Sequence, residues 1–231
     1  MLIIGHRGAP NLAQENTIDS FDKAFKSGVD GIELDVQLTQ DNQLAVFHDF
    51  DTFSLNGCND LIKDISYIEL QSLSTKFKIP KLGDALECVP PNKEMHIEIK
   101  SNQINNNIIV DKVLESITKK NIDKQCVLSS FNPFVLSTIK KKAPSQTVGL
   151  LWTKSVDCSW FVTHYSYYNI KPYSFHANIK YFNNEIAGWA ESIGLKLYFY
   201  TVNTKHDLIK AKKYKADGIF TDHPNINLRS K

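Results

Sequence analysis

Cysteine pairs and long apolar runs are scarce in this 231-residue chain. Its four cysteines are widely spaced and form no C-x-x-C pair, which argues against a disulfide framework and against a cysteine-ligated zinc site. No apolar run approaches the roughly 20 residues of a membrane span, and only residues 2–4 are apolar before the first charged side chain. We therefore expect no stable membrane insertion, no secretory leader and a cytoplasmic location.

The chain also lacks an excess of charge of either sign. Its 27 lysines and arginines nearly balance 25 aspartates and glutamates, so nothing in the total favours a nucleic acid or an anionic membrane as partner. The length suits one large domain over residues 1–231, because α/β barrels of this size are commonly undivided. Composition leaves the oligomeric state open.

Alternation of short apolar strands with helix-like segments is the main pattern present. Repeated units of this kind favour a parallel sheet, and at this length a single TIM-type (β/α)8 barrel is the predicted fold. The runner-up is an open doubly wound sheet, but Gly5-His6-Arg7-Gly8 is not the G-x-G-x-x-G turn that such a sheet would want. Nine strand candidates compete for eight barrel positions, and the segment around Phe175 is the weakest of them. The candidates are residues 3–5, 32–36, 44–47, 95–99, 126–129, 148–152, 174–177, 195–202 and 218–221.

Acidic side chains share one face of two of these strands. Side chains alternate along a strand, so Glu33 and Asp35 point to one face of the second candidate, and Glu98 and Lys100 share a face of another. Three carboxylates converging at one end of a barrel would repel each other, and a bound cation would relieve that repulsion. All-oxygen ligands predict a hard divalent cation, Mg²⁺ or Ca²⁺.

Histidines and fixed cations stand at the ends of the same strands. His6 and Arg7 follow the first strand, His48 follows the third, and Lys100 follows the fourth. An arginine, a lysine and a divalent ion together match the charge of a phosphate, and two histidines can act as general acid and general base. We therefore predict hydrolysis of a phosphodiester.

Each of these signals has a simpler interpretation. A lone E-x-D on a strand is a weak signal, and lone histidines are more often structural than catalytic. His96, which shares the parity of Glu98, could support the site from behind. The aromatic segment with Tyr165, Tyr167 and Tyr168 is more typical of core packing than of a lipid-binding surface.

At the residues that carry the chemistry, the sequence resembles the glycerophosphodiester phosphodiesterase family. The matching segments occur in the family's order and span nearly the whole chain, which makes the set far more specific than any one member. They are His6-Arg7-Gly8, Glu15-Asn16-Thr17, Glu33-Leu34-Asp35-Val36, His48-Asp49, Glu98-Ile99-Lys100, Ser129-Ser130-Phe131, Thr201-Val202-Asn203 and Asp217 to Pro224.

This resemblance implies a TIM-barrel enzyme that splits a small-molecule glycerophosphodiester into sn-glycerol 3-phosphate and an alcohol. It implies that Glu15, with its neighbour Asn16, supports the metal or the catalytic pair. Tyr200 stands where the family usually has tryptophan, and it would keep an aromatic wall against the substrate. The other roles implied agree with the prediction from the residues: His6 and His48 for acid–base work, Arg7 and Lys100 for the phosphate, and Glu33, Asp35 and Glu98 for the metal.

Two other functions compete with this one. A lysophospholipase D-like barrel phosphodiesterase would need an exposed apolar entrance, which Trp160-Phe161 and residues 165–168 could supply. A catalytically silent barrel that serves as a binding domain would have no reason to keep clustered charge.

Overall fold

Eight parallel strands close into a barrel in the computed structural model of the protein, which describes residues 1–154 and 167–225. Each strand pairs in parallel with the next around the ring, and the first pairs with both the second and the last, which closes it. This confirms the (β/α)8 barrel. In chain order the barrel strands are β1 (Leu2–Gly5), β2 (Gly31–Leu38), β4 (Glu94–Ile99), β5 (Cys126–Ser130), β6 (Val148–Trp152), β7 (Ser174–Asn178), β8 (Lys196–Tyr200) and β9 (Gly218–Thr221).

The surplus strand among the nine candidates is β3 (Leu44–Val46), which lies outside the ring and pairs antiparallel with the end of β2. The prediction that the Phe175 segment was the weakest strand is wrong, because β7 pairs regularly with both β6 and β8. Its sequence looked irregular because Ser174 and His176 turn polar side chains into the barrel, where an apolar run was expected. At eight residues, β2 is long enough to continue past its pairing with β4 and form a hairpin with β3.

Helices cover the outside of the barrel and supply the other half of the core. In α1, Phe21 and Ala24 are one turn apart and fully buried against the strands. The apolar residues of β2 and β4 that alternate with the acids, such as Leu34 and Ile97, belong to the same core. In the described residues, the α-helices with both ends defined are α1 (Ile18–Lys26), α2 (Phe53–Asn56), α3 (Tyr67–Leu73), α4 (Leu82–Leu86), α5 (Asn107–Lys119), α6 (Pro133–Lys142), α7 (Asn184–Ser192) and α8 (Lys205–Lys213), of which α2 buries no residue.

A layer of rings fills the barrel interior below the charged residues. His96 and His176 lie there with their ring centroids 5.6 Å apart, packed against Tyr198 and Phe220. The Nε2 atom of His96 lies 3.0 Å from the carboxylate of Glu94, at the amino end of the same strand. This hydrogen bond goes to Glu94 and not to Glu98, so it does not give Glu98 the support that their shared parity suggested. Burial and the neighbouring His96 hold the pKa of His176 well below its ordinary value. This layer closes the floor beneath the charged residues.

Within residues 1–154 and 167–225, no helix is both long enough and apolar enough to cross a membrane.

Candidate active site

Two adjacent strands bring the three predicted acids together. Asp35 of β2 stands beside Glu98 of β4 in the sheet register, and Glu33 lies two residues earlier on the same face of β2. One carboxylate oxygen from each of the three lies within 4.8 Å of those from the others. All three residues are at least nine-tenths buried. The parity argument from the sequence therefore placed them correctly.

Burial sets the protonation of these acids. Burial and the charge of Asp35 raise the pKa of Glu33 to about 8, and burial also raises the pKa of Glu98. Burial acts in the same direction on Asp35, but the cations of Lys100 and Arg7 outweigh it and hold its pKa below the usual value. Ionisation of Glu33 and Glu98 is therefore costly unless a further positive charge lies nearby.

The donor set fits a hard divalent cation. Oxygen ligands bind Mg²⁺ and Ca²⁺ at about 2.0–2.6 Å, so two ligands of one ion lie at most roughly 4–5 Å apart, as these oxygens do. Within the described part of the chain, no other group of three such side chains converges in this way. The acidic cluster could therefore hold a metal ion.

Two partly buried cations flank the cluster. The Arg7 guanidinium lies 3.3 Å from Asp35 through Nε and donates from a terminal nitrogen to Glu15 at 2.8 Å. Lys100 Nζ lies 3.2 Å from Glu98 and 3.7 Å from Asp35. Both predicted phosphate-binding residues are thus anchored by the acids beside which they stand.

The turn after β1 aims the Arg7 segment at the acids. Arg7 and Gly8 have φ values of 51° and 89°, and the Arg7 backbone N–H donates to Glu33 at 2.9 Å. A Cβ on Gly8 would lie 2.4 Å from the Ser20 Oγ, so only glycine fits there.

Asn16 and Thr17, which precede α1, make different contacts. The Thr17 side chain accepts from Ser20 N at the helix start, whereas Asn16 donates to Asp35 at 2.9 Å.

Asp222 holds His6 from the far end of the chain. Its carboxylate Oδ1 lies 2.6 Å from His6 Nδ1, and its Oδ2 accepts from Asn203 Nδ2 at 2.5 Å. Burial acts to lower the pKa of His6, but the hydrogen bond to Asp222 and the charge of Glu33 raise it above the ordinary value. Since Nδ1 is bound to Asp222, Nε2 is the nitrogen left for a substrate.

His48 has a similar partner and a different electrostatic setting. Its Nδ1 lies 2.8 Å from Asp49 Oδ1. Burial and the cations of Lys100 and Arg7 lower its pKa, against the attraction of Asp35. His48 reaches the site because β3 runs back along β2, with the Phe47 backbone N–H donating to the Asp35 carbonyl. It follows an antiparallel strand, and not one of the barrel strands as the strand-end argument had assumed.

A cavity of about 460 Å³ at the carboxyl ends of the strands joins these groups. Tyr200 and Phe131 form an aromatic wall with ring centroids 6.2 Å apart, and the Tyr200 hydroxyl donates to the Trp152 carbonyl. Asp35, Glu15 and Asn16 do not line this cavity, and Lys100 lines two adjoining depressions that share Glu98 or His48 with it. The predicted residues that line it are His6, Arg7, Glu33, His48, Glu98 and Tyr200.

Asp222 and Asn203 were not among the predicted site residues, although both lie in segments that matched the family. Each follows a barrel strand, β9 and β8, so the strand-end argument applied to the last two strands would have found them. Of the predicted apolar entrance, residues 160, 161, 165 and 166 lie outside the described part of the chain. Tyr167 packs edge-on against Trp189.

Acids, cations and paired histidines around one cavity at the carboxyl ends of a (β/α)8 barrel define a barrel hydrolase suited to phosphodiesters. Comparison with known proteins gives the family. The profile of the glycerophosphoryl diester phosphodiesterase family matches residues 6–226, and the chain belongs to that family.

Three of the similar proteins match over nearly their full length. A glycerophosphodiester phosphodiesterase of Caldanaerobacter subterraneus is 34% identical and aligns over 98% of this chain and 97% of its own. The crystal structure of one from Thermotoga maritima is 30% identical, with a TM-score of 0.82, covering 99% of this chain and 97% of that one. A phosphodiesterase of Oleispira antarctica, solved in complex with sn-glycerol 3-phosphate, shares the fold at 21% identity, a TM-score of 0.82 and coverage of 97% and 94%.

Proposed function

We propose that this phosphodiesterase hydrolyses glycerophosphodiesters to sn-glycerol 3-phosphate and an alcohol, and that Mg²⁺ or Ca²⁺ supports the reaction. The observation that carries the proposal is the pair of histidines, each bound to an aspartate through Nδ1, on the wall of a cavity that also contains Glu33 and Glu98. The product bound by the Oleispira protein and the names of the full-length relatives support the same substrate class.

Glu33, Asp35 and Glu98 would hold the cation. When bound, such an ion supplies positive charge that polarises the phosphoryl oxygens. A cation would also stabilise the cluster in the absence of substrate. Burial raises the pKa values of Glu33 and Glu98, so their ionisation is costly without a nearby positive charge.

Arg7 and Lys100 would bind and orient the phosphate. Glu15 and Asp35 fix the guanidinium of Arg7, while Glu98 fixes the ammonium of Lys100, so each cation is held before substrate arrives. A substrate phosphate then meets charges whose positions cost little further ordering.

We assign His48 as general base and His6 as general acid. The lowered pKa of His48 favours an unprotonated Nε2, which can take the proton of the attacking hydroxyl, from water or from the substrate's own 2-position. The raised pKa of His6 favours a proton on Nε2. As the bond between phosphorus and the alcohol oxygen breaks, that proton passes to the leaving alkoxide.

The test measures release of sn-glycerol 3-phosphate from glycerophosphocholine, with EDTA, Mg²⁺ and Ca²⁺ arms. Wild type should turn over in a metal arm and not in EDTA, and His48→Ala should lose at least about 100-fold. His206→Ala is the matched control, because His206 is an exposed histidine on α8 outside the cavity, and it should behave as wild type.

No release in any arm would contradict the proposed function and leave the lysophospholipase D-like and the silent-barrel alternatives, which choline release from lysophosphatidylcholine would separate. Equal release by wild type and His48→Ala would contradict the histidine assignment alone. The predicted cytoplasmic location and the absence of nucleic-acid partners stay predictions from composition.

A further inference from the structure

Gln37 is a buried amide on the strand that carries Glu33 and Asp35. Side chains alternate along a strand, so Gln37 lies on the same face as these two acids, where β2 extends past its pairing with β4. It is 4% exposed and does not line the catalytic cavity. A role for Gln37 in the reaction would therefore have to pass through another residue.

The side-chain amide of Gln37 contacts the backbone on both sides of His48. Its Nε2 donates to the Phe47 carbonyl at 2.9 Å and to the Asp49 carbonyl at 2.6 Å. Both partners are carbonyl oxygens, which only accept, so the NH₂ group of the amide must face them. That group has two hydrogens, one for each carbonyl.

The backbone around His48 has little other support. Residues 47–49 belong to neither a helix nor a strand. The Phe47 N–H donates to the Asp35 carbonyl at 3.1 Å, as the last contact of the hairpin. In the part of the chain that the structure describes, no backbone–backbone hydrogen bond involves His48 or Asp49. The two bonds from Gln37 therefore fix the path of the chain through His48.

The same amide also fixes the partner of the His48 ring. Asp49, whose carbonyl Gln37 holds, accepts at 2.8 Å from His48 Nδ1 through its carboxylate. Both members of this pair are thus anchored by one buried side chain. A general base must lie within hydrogen-bond reach of the proton that it removes, and a displacement of about 1 Å can cost roughly 100-fold in rate.

We propose that Gln37 is a positioning residue, which holds His48 where it can act as the general base. This inference rests on the proposed function, because it depends on the part that His48 plays in the hydrolysis. Gln37 itself touches no reacting atom and acts through the backbone of His48 and Asp49.

Gln37→Met tests this role, because methionine is similar in length and volume but has no N–H to donate. For glycerophosphocholine, with the metal ion that supports the wild type, kcat should fall about 10- to 100-fold. KM should stay within about twofold, because Gln37 does not line the cavity and the proposed phosphate ligands Arg7 and Lys100 keep their own partners.

Gln146→Met is the matched control. Gln146 is also a buried glutamine, 7% exposed, and its Nε2 donates to the Cys126 carbonyl at 2.7 Å. Cys126 begins β5, so this contact lies at the amino end of the barrel, away from the catalytic cavity. Gln146→Met should lower the free energy of unfolding in urea as Gln37→Met does, yet keep kcat within about twofold of wild type. Each variant is assayed well below its melting temperature.

A double-mutant cycle with His48→Ala separates positioning from a general loss of structure. If Gln37 acts through His48, adding Gln37→Met to His48→Ala should change the residual kcat by less than about twofold. A general loss of structure would lower kcat by the same factor in both backgrounds. If Gln37→Met does not fold, Gln37→Asn takes its place, because it keeps the amide on a side chain one methylene shorter.

The proposal is overturned if the Gln37 variant keeps kcat within about twofold of wild type, or if its loss appears in KM instead. It is also overturned if Gln146→Met loses as much kcat, or if the effects of the Gln37 and His48 substitutions multiply. Absence of release by the wild type in every metal arm is a different result, because it refutes the proposed function and the role of Gln37 together.

Discussion

Replacing Asp222 by asparagine tests the arrangement around His6 most directly. The carboxylate accepts twice, from His6 Nδ1 through Oδ1 and from Asn203 Nδ2 through Oδ2. Asn203 cannot turn its amide over without loss, because its Oδ1 already accepts from the Asp222 backbone N–H at 2.9 Å. An asparagine at position 222 offers one acceptor where two are needed.

Either orientation of that asparagine harms the protonated form of His6. If its oxygen faces Asn203, its NH₂ group opposes the N–H that protonated His6 presents from Nδ1. If its oxygen faces His6, two NH₂ groups oppose each other at Asn203. Loss of a hydrogen bond to a charged group costs about 1.5–3 kcal/mol, so kcat/KM should fall about 10- to 150-fold.

The pH profile gives the second readout. Because Asp222 raises the pKa of His6, Asp222→Asn should lower it, and the acid form of His6 should disappear at a lower pH. The alkaline limb of kcat/KM for glycerophosphocholine should therefore move down by about one to two pH units. Asp217→Asn is the control, since Asp217 precedes the same strand and pairs with Lys196 away from the cavity.

The reasoning is refuted if Asp222→Asn stays within about threefold of wild type with an unmoved alkaline limb, since a charged hydrogen bond of the stated strength cannot be lost so cheaply. Movement of the acid limb instead would contradict the assignment of His6 as the acid.

Three further predictions follow from single contacts. Glu98→Gln should raise the Mg²⁺ or Ca²⁺ concentration for half-maximal activity at least about tenfold. It should leave the melting temperature in EDTA unchanged or higher, because it removes a buried carboxylate whose pKa is raised. A lower melting temperature would count against this reasoning. Gly8→Ala should lower the free energy of unfolding in urea by about 1–3 kcal/mol, whereas Gly83→Ala, with nothing within 4 Å of a new Cβ, should not. Burial lowers the pKa of His176 in the folded state, so the free energy of unfolding decreases as the pH falls below about 6.5. In urea melts, His176→Gln should make the decrease between about pH 7 and 5 smaller by up to about 2 kcal/mol. The same substitution at the exposed His206 should not.

The barrel and the acidic cluster could be predicted because both depend on local periodicity. Alternation along a strand places Glu33 and Asp35 on one face whatever the strand pairs with, and a parallel barrel then gathers the strand ends. Local periodicity could not show which of the nine candidate strands lies outside the barrel. The candidates at residues 44–47 and 174–177 have the same length in the sequence, and only the pairing partners decide which one belongs to the ring.

The position of His48 at the cavity could be predicted from the sequence, but for an incomplete reason. A position at a strand end predicts that His48 lies at the common edge of the barrel, but β3 is antiparallel to the barrel strands. What brings His48 to Asp35 is the extra length of β2, which the hairpin then retraces. The strand-end position and the family's His-Asp segment both placed His48 at the site, but neither could give the direction of β3.

Asp222 shows what closure of the barrel adds. The two partners His6 and Asp222 are 216 residues apart in sequence and 2.6 Å apart in space, because β9 pairs with β1 in register from Leu2–Gly218 to Gly5–Thr221. That register places the residue after Thr221 beside the residue after Gly5. In a parallel barrel closed in this register, the end of the last strand lies beside the end of the first. A histidine that follows β1 therefore meets a hydrogen-bond partner that follows the last strand. Truncation within β9 should therefore abolish acid–base chemistry as well as the fold.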